Sequence, residues 1–233
     1  MSARTLTSSS APQSSTSLWE KLLNIFVSPG EVFDEVTAGP RALANWRVPT
    51  LLLCLAGVIS LLISNGEHTA VAIRQLAGAG EASKTQTEML SGGWPLVGSL
   101  TVCFAACAGT FWSAFVLWLM GRVLLKVRFS YLKALEVVGL TGMILVLGTL
   151  ITSLLIAASG DAATRPSLSL LAGKMDAGHP FRQLLDMFNV FHLWTTTLLA
   201  IGLSRLSGAS FKEAAFWVFG YWLFARIALI ILA

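Results

Sequence analysis

Apolar positions along this chain fall in long unbroken runs, not in the alternation of a half-buried strand. The first run is "VPTLLLCLAGVISLLIS" at 48–64, and four more follow at about 96–121, 134–158, 187–206 and 214–233. A helix of about 20 apolar residues crosses the ~30 Å hydrocarbon core of a bilayer at a rise of 1.5 Å per residue. Each span in lipid must satisfy its own backbone hydrogen bonds, and the period-2 pattern of a membrane strand is absent. The pattern therefore predicts an all-α fold, a polytopic bundle of five transmembrane helices. Trp46 and Trp94 stand just before the first two runs, at the level of an aromatic belt. Pro49 and Pro95 are placed in first helical turns, where a missing N–H costs nothing.

Ahead of the runs lies a shorter, two-sided pattern. Leu18, Trp19, Leu22, Leu23, Ile25 and Phe26 give one broad apolar face, with Glu20, Lys21 and Asn24 mostly opposite. Such a helix suits the interface plane of a membrane. The stretch "SPGEVFDEV" at 28–36 starts a second lead helix, with Ser28 as cap, Pro29 at the first helical position and Glu31 at the third, a capping box. Val32, Phe33 and Val36 form its apolar face. Asp34 and Glu35 look to water and are the candidate partner-facing residues, and Gly39-Pro40 ends the helix. A second Ser-x-x-Glu box, Ser210–Glu213, starts the fifth run. The chain thus divides into a disordered Ser/Thr-rich tail (1–17), an amphipathic cytoplasmic lead (18–45) and a five-span membrane domain (46–233). The tail has one Arg and no apolar core, so neither a secretory signal nor a transit peptide is read there.

Composition agrees. Of 233 residues 55% are hydrophobic and 12% charged, about half the charged share of an ordinary soluble domain. The net charge of +4 describes topology and gives no reason to expect nucleic acid. Ten Lys and Arg fall in the lead and in the two short inter-span loops on its side, against five in the two loops opposite, each about thirty residues long. This asymmetry puts the N-terminus in the cytoplasm and, with five spans, the C-terminus outside. The long loops are read as surface caps with short helices near 81–90 and 167–173. Spans two–three and four–five also echo one another faintly at an offset of 80, as in Ser130 and Ser210, Ala134 and Ala214, Val138 and Val218.

Ionisable residues inside a membrane are costly and mark function or packing. Arg226 stands seven residues from the last residue, about 10 Å of helix. It either snorkels to the outer headgroups or pairs with Asp186 at the start of the fourth span, near Asn189 and His192. Glu136 and Glu213 are placed at helix starts, where negative charge complements the dipole. Cys54, Cys103 and Cys107 are read as small packing residues. Small residues on span two (Gly98, Ala105, Ala106, Cys107, Gly109) and span three (Gly139, Gly142, Gly148) are read as the contact between those two hairpin partners. Thr195–Thr197 can bond their own helix or a neighbour. The histidines His68, His179 and His192 lack metal-ligand spacing. No catalytic pattern stands out, Ser153 with His192 being the only pair that could be forced into a role. No enzyme activity, cofactor or metal is expected.

By its layout the chain resembles the YIP family of small five-span membrane proteins, named for eukaryotic members that interact with Ypt/Rab GTPases, and within it the bacterial-type members. The residues that carry the resemblance are "SPGEVFDEV" and "LLDMFNVFHLWTTTLLAIGLSRLSGASFKEAAFWVFGYWLFARIALIIL" (184–232), with Asp186, Phe188, Trp194, Gly202 and Leu203 at their positions in the pattern. The resemblance covers 18–233. It implies a cytoplasmic N-terminus, an outside C-terminus and a bacterial inner membrane. Eukaryotic members act in vesicle trafficking with Rab-type GTPases. Here only Gly39-Pro40 echoes their acidic Leu-x-Gly-Pro segment, and the Tyr-Gly-Tyr signature is missing, which weighs against a Rab-type partner. The expected partners are the lipid bilayer and a membrane-protein partner or a second copy. The function expected is organisation of membrane or partner proteins, and the alternative is a transporter or channel subunit, suggested by Arg226, the Thr run and the repeat.

Overall fold

The computed structural model describes residues 16–78, 94–160, 164–168, 185 and 188–232, with 65–78, 94, 95 and 229–232 described in backbone only. Seven α-helices make up its regular structure, and no strand is present among the described residues. The lead contributes α1 (Leu18–Asn24) and α2 (Pro29–Ala38). The bundle consists of α3 (Ala44–Gly78), α4 (Trp94–Leu119), α5 (Tyr131–Ser159), α6 (Val190–Ser207) and α7 (Phe211–Leu232). The read caps near 81–90 and 169–173, and the tail at 1–15, lie outside the described residues.

Among the described residues three helical stretches are long and apolar enough to cross a membrane. They are Ala44–Ser64, Leu96–Leu124 and Tyr131–Ser159, with mean hydropathy of 2.0, 1.8 and 2.2. Only 11% of the apolar stretch on α4 is buried in the protein. Leu96, Leu100, Phe104, Trp112 and Phe115 all point outward. Water would not tolerate so continuous an apolar surface on a monomer, and a bilayer covers it. The helices match the apolar runs to within a few residues, except that α3 begins at Ala44 and continues to Gly78.

That early start corrects the reading of Pro49, which lies inside α3. Its missing N–H leaves the Asn45 carbonyl without its helical donor. Gly139 of α5 packs at this point, where an added Cβ would strike the Trp46 backbone and stand 3.0 Å from the Asn45 oxygen.

Central to the bundle is α5, apolar on every side and flanked by α3, α4 and α6. Its small residues serve neighbours other than the expected one. Gly139 admits α3 and Gly148 admits the Phe191 ring of α6, while Gly142 meets nothing within 4 Å. The close approach of α4 is to α3, at Gly57 against Val102 and Gly98 against Leu61. Small residues do allow tight helix contacts here, but the sequence did not say between which helices.

The core is continuous from the lead into the bundle. Leu22 and Ile25 of the lead, with Val32, Phe33 and Val36 of α2, join Leu135, Leu140 and Ile144 of α5 and Leu198 and Leu203 of α6. Phe33 is fully buried, and Gly202 leaves room for it beside Val137. The lead caps one end of the bundle, the near end, and the far end lies opposite.

Candidate functional site

At the near end, Ser17 precedes α1 in the extended region (φ −62°, ψ 156°), the usual geometry of a helix cap. Its hydroxyl accepts the Glu20 N–H at 3.3 Å, and the Glu20 carboxylate accepts the Ser17 N–H at 2.7 Å. This is the capping box of the lead. Ser28 does stand at the start of α2, with Pro29 next, but it makes no side-chain cap bond. Its backbone (φ −129°, ψ 58°) departs from the extended geometry of a cap. The Ser28–Glu31 box is therefore corrected to Ser17–Glu20, and Glu31 is exposed. At the start of α7, Ser210 Oγ accepts the Glu213 N–H at 3.3 Å.

Asp34 is exposed and Glu35 half-buried, and both make ion pairs within the protein. Glu35 pairs with Lys21 at 3.1 Å and accepts the Thr16 N–H at 3.0 Å, tying α2 to α1. Burial works to raise its pKa, but the Thr16 and Lys21 hydrogen bonds and the Lys21 charge outweigh that, leaving it below the ordinary 4.5. Asp34 pairs with Arg205 of α6 at 3.4 Å. Gly30 makes room for this contact, since a Cβ there would lie 3.2 Å from the guanidinium.

The strongest link was missed in the sequence. Lys133, one turn into α5, sends its Nζ to the carbonyls of Val36 (2.6 Å), Gly39 (3.0 Å) and Pro40 (3.0 Å) at the end of α2. A cation suits the unsatisfied carbonyls of a helix C-terminus. An ammonium has three donors, and three carbonyls take them. Glu136 Oε1, 3.3 Å away, is thus held by charge without a hydrogen bond. Its Oε2 accepts from Asn45 Nδ2 at 2.8 Å. Glu136 is only 1% exposed, so it is a buried anion at the junction of α2, α3 and α5, and more than a complement to the α5 dipole. A Lys and a Glu three apart on one helix were visible; the Asn45 partner, 91 residues away, was not.

The far end is arranged differently. Ser60, Ser64, Thr149, Thr152, Asn189 and His192 line part of a polar cavity of about 250 Å³. Asn189 caps α6 by accepting the Phe191 N–H at 2.9 Å. Arg226 of α7 lies within electrostatic range of His192, and among the described residues no ion pair reaches it. Asp186 lies outside the described residues. Thr195, Thr196 and Thr197 each donate to the carbonyl four residues back. Ser153 likewise donates to the Thr149 carbonyl at 2.8 Å. The three thiols meet where α3 packs on α4, with Cys54 Sγ 3.7 Å from the Cys103 carbonyl. Among the described residues no group of three His, Cys, Asp or Glu is placed to hold a metal.

Outward-facing apolar helices around a glycine-packed core, with charges confined mainly to the ends, define a helical integral membrane protein. The chain belongs to the Yip1 domain family, whose model matches residues 23–233. No curated protein and no solved structure matches it. The matched range begins within α1, so it takes in most of the lead together with the bundle.

Proposed function

We propose that this chain is a non-enzymatic, five-span organiser of membrane or partner proteins in a bacterial inner membrane, its N-terminus cytoplasmic and its C-terminus outside. The orientation is supported by the ten-against-five distribution of Lys and Arg. Counting α6 and α7 as the fourth and fifth spans is supported by their antiparallel hairpin, closed at Gly208.

The observation that carries the role is the way the lead is built into the bundle. It buries Leu22, Ile25 and Phe33 inward while Trp19, Leu23 and Val27 stay 66%, 68% and 83% exposed. These three positions are four apart and form a ridge suited to the headgroup boundary. A fixed ridge, beside the exposed face at Glu31 and Thr37, offers a partner or a second copy one defined surface. Deleting 18–40 is expected to leave insertion intact and abolish partner recovery by crosslinking in native membranes. Unchanged recovery would overturn the reading.

A transporter or channel subunit is the second reading, favoured by the far-end cavity. Beneath that cavity Leu140, Ile144 and Leu198 close the interior, which favours the first. Cysteines placed at Thr149 and at Leu140 separate the two readings. A conducting path would make both accessible to a hydrophilic thiol reagent, and the first reading expects labelling at Thr149 alone.

A further inference from the structure

A groove of about 530 Å³ opens between α4 and α7 in the near-end half of the bundle. Trp112, Phe115, Leu119 and Val123 line one wall, and Phe216 and Gly220 part of the other. The Trp112 indole N–H donates to the exposed Tyr221 hydroxyl at 3.0 Å, joining the two walls. Its near-end wall is the π-helical turn Met120–Leu124 that terminates α4. From Trp112 to Leu124 the groove runs about 18 Å at 1.5 Å per residue, close to half of the ~30 Å hydrocarbon core. That is the depth of one leaflet, the reach of a single acyl chain.

Cations stand next in the chain to the near-end lining residues. Arg122 lies over the Trp118 ring at 5.2 Å. Lys126 and Arg128 follow in the loop, and Lys212 stands one turn before Phe216 on the same face of α7. All four are exposed, and among the described residues none is in an ion pair. Glu213 is the one acidic neighbour on this stretch of α7, so the balance of charge there stays positive. Basic sites between membrane helices recognise anionic lipid headgroups.

We propose that the groove is a binding site for one anionic phospholipid, an acyl chain lying along Gly220 and the phosphate held among Arg122, Lys126, Arg128 and Lys212. Gly220 gives a clean test, because a Cβ there meets nothing within 4 Å. A larger side chain fills the groove without touching the core. The full-length chain would be purified with an equal mixture of phosphatidylglycerol and phosphatidylcholine and the retained lipid read by native mass spectrometry.

One phosphatidylglycerol per chain, in preference to phosphatidylcholine, is expected. Gly220→Leu should lose it at an unchanged melting temperature in phosphatidylcholine, and Gly220→Ala should weaken it. Arg122→Gln with Lys212→Gln should keep a bound lipid but weaken the headgroup preference, by about fivefold per cation removed. Equal retention of the two lipids, or full retention by the folded Gly220→Leu variant, would overturn the proposal. So would Gly220→Cys chains that crosslink to one another, since a second copy would then occupy the groove.

Discussion

The two ends of the bundle handle polar groups in opposite ways. At the near end Lys133, Glu136 and Asn45 form a buried polar node, and the half-buried pair Lys21–Glu35 and the exposed pair Asp34–Arg205 lie in the same end. At the far end hydroxyls mostly return to their own helix, Arg226 has no ion-pair partner among the described residues, and a polar cavity stays open. Buried charge is costly unless it is paired and hydrogen-bonded. The near end meets that condition with groups from three segments, so its charges fix the arrangement of those segments. The far end leaves its polar groups locally satisfied, so they constrain the helices little. A membrane protein whose near end is tied and whose far end is loose presents its defined surface at the near end.

The largest test of this contrast is Lys133→Met. It strips the α2 carbonyls of their cation and leaves Glu136 buried without compensation, which should cost about 3–5 kcal/mol. Unfolding in mixed micelles would measure it. Arg226→Met at the far end should cost less than about 1 kcal/mol in the same assay, and an equal loss at both ends would break the contrast. Asn45→Ala comes next, at about 1.5–3 kcal/mol for a lost hydrogen bond to a charged acceptor. Ser17→Ala should cost about 1 kcal/mol as a cap deletion, whereas Ser28→Ala should stay within about 0.5 kcal/mol.

Smallest is the effect of pH. The Glu35 pKa is lowered in the folded chain, so its contribution is present above the ordinary 4.5 and is lost as pH falls through the lowered value. Release of α1 from α2, followed by Trp19 fluorescence, should begin only below pH 4.5. Glu35→Gln should remove that acid-dependent step.

Much of the fold was legible because lipid allows few solutions. Long apolar runs become helices, and their limits agree to within a few residues except at α3, which runs on to Gly78. The faint offset of 80 also falls on like positions: Ser130 and Ser210 directly precede α5 and α7, and Ala134 and Ala214 are both fully buried. What stayed hidden was pairing. "SLWE" and "SPGE" carry the same Ser-x-x-Glu spacing, and only the backbone at Ser17 and Ser28 distinguishes a working box from an idle one. Gly139 and Gly148 announced close contacts without naming α3 and α6. Glu136 looked like one more acidic residue at a helix start because Asn45 and the Val36, Gly39 and Pro40 carbonyls come from distant segments. The groove was unread for the same reason, since each wall alone resembles an ordinary lipid-facing helix.

The lead helices are part of the bundle, and Lys133 holds them there. Hydrogen exchange of the α2 amides, in the intact chain and in Lys133→Met, tests it most directly. Amides from Val32 to Val36 should be protected as strongly as the near end of α5, and Lys133→Met should expose them while the centre of α5 stays closed. Free exchange of α2 in the intact chain, or undiminished protection in the variant, would contradict it.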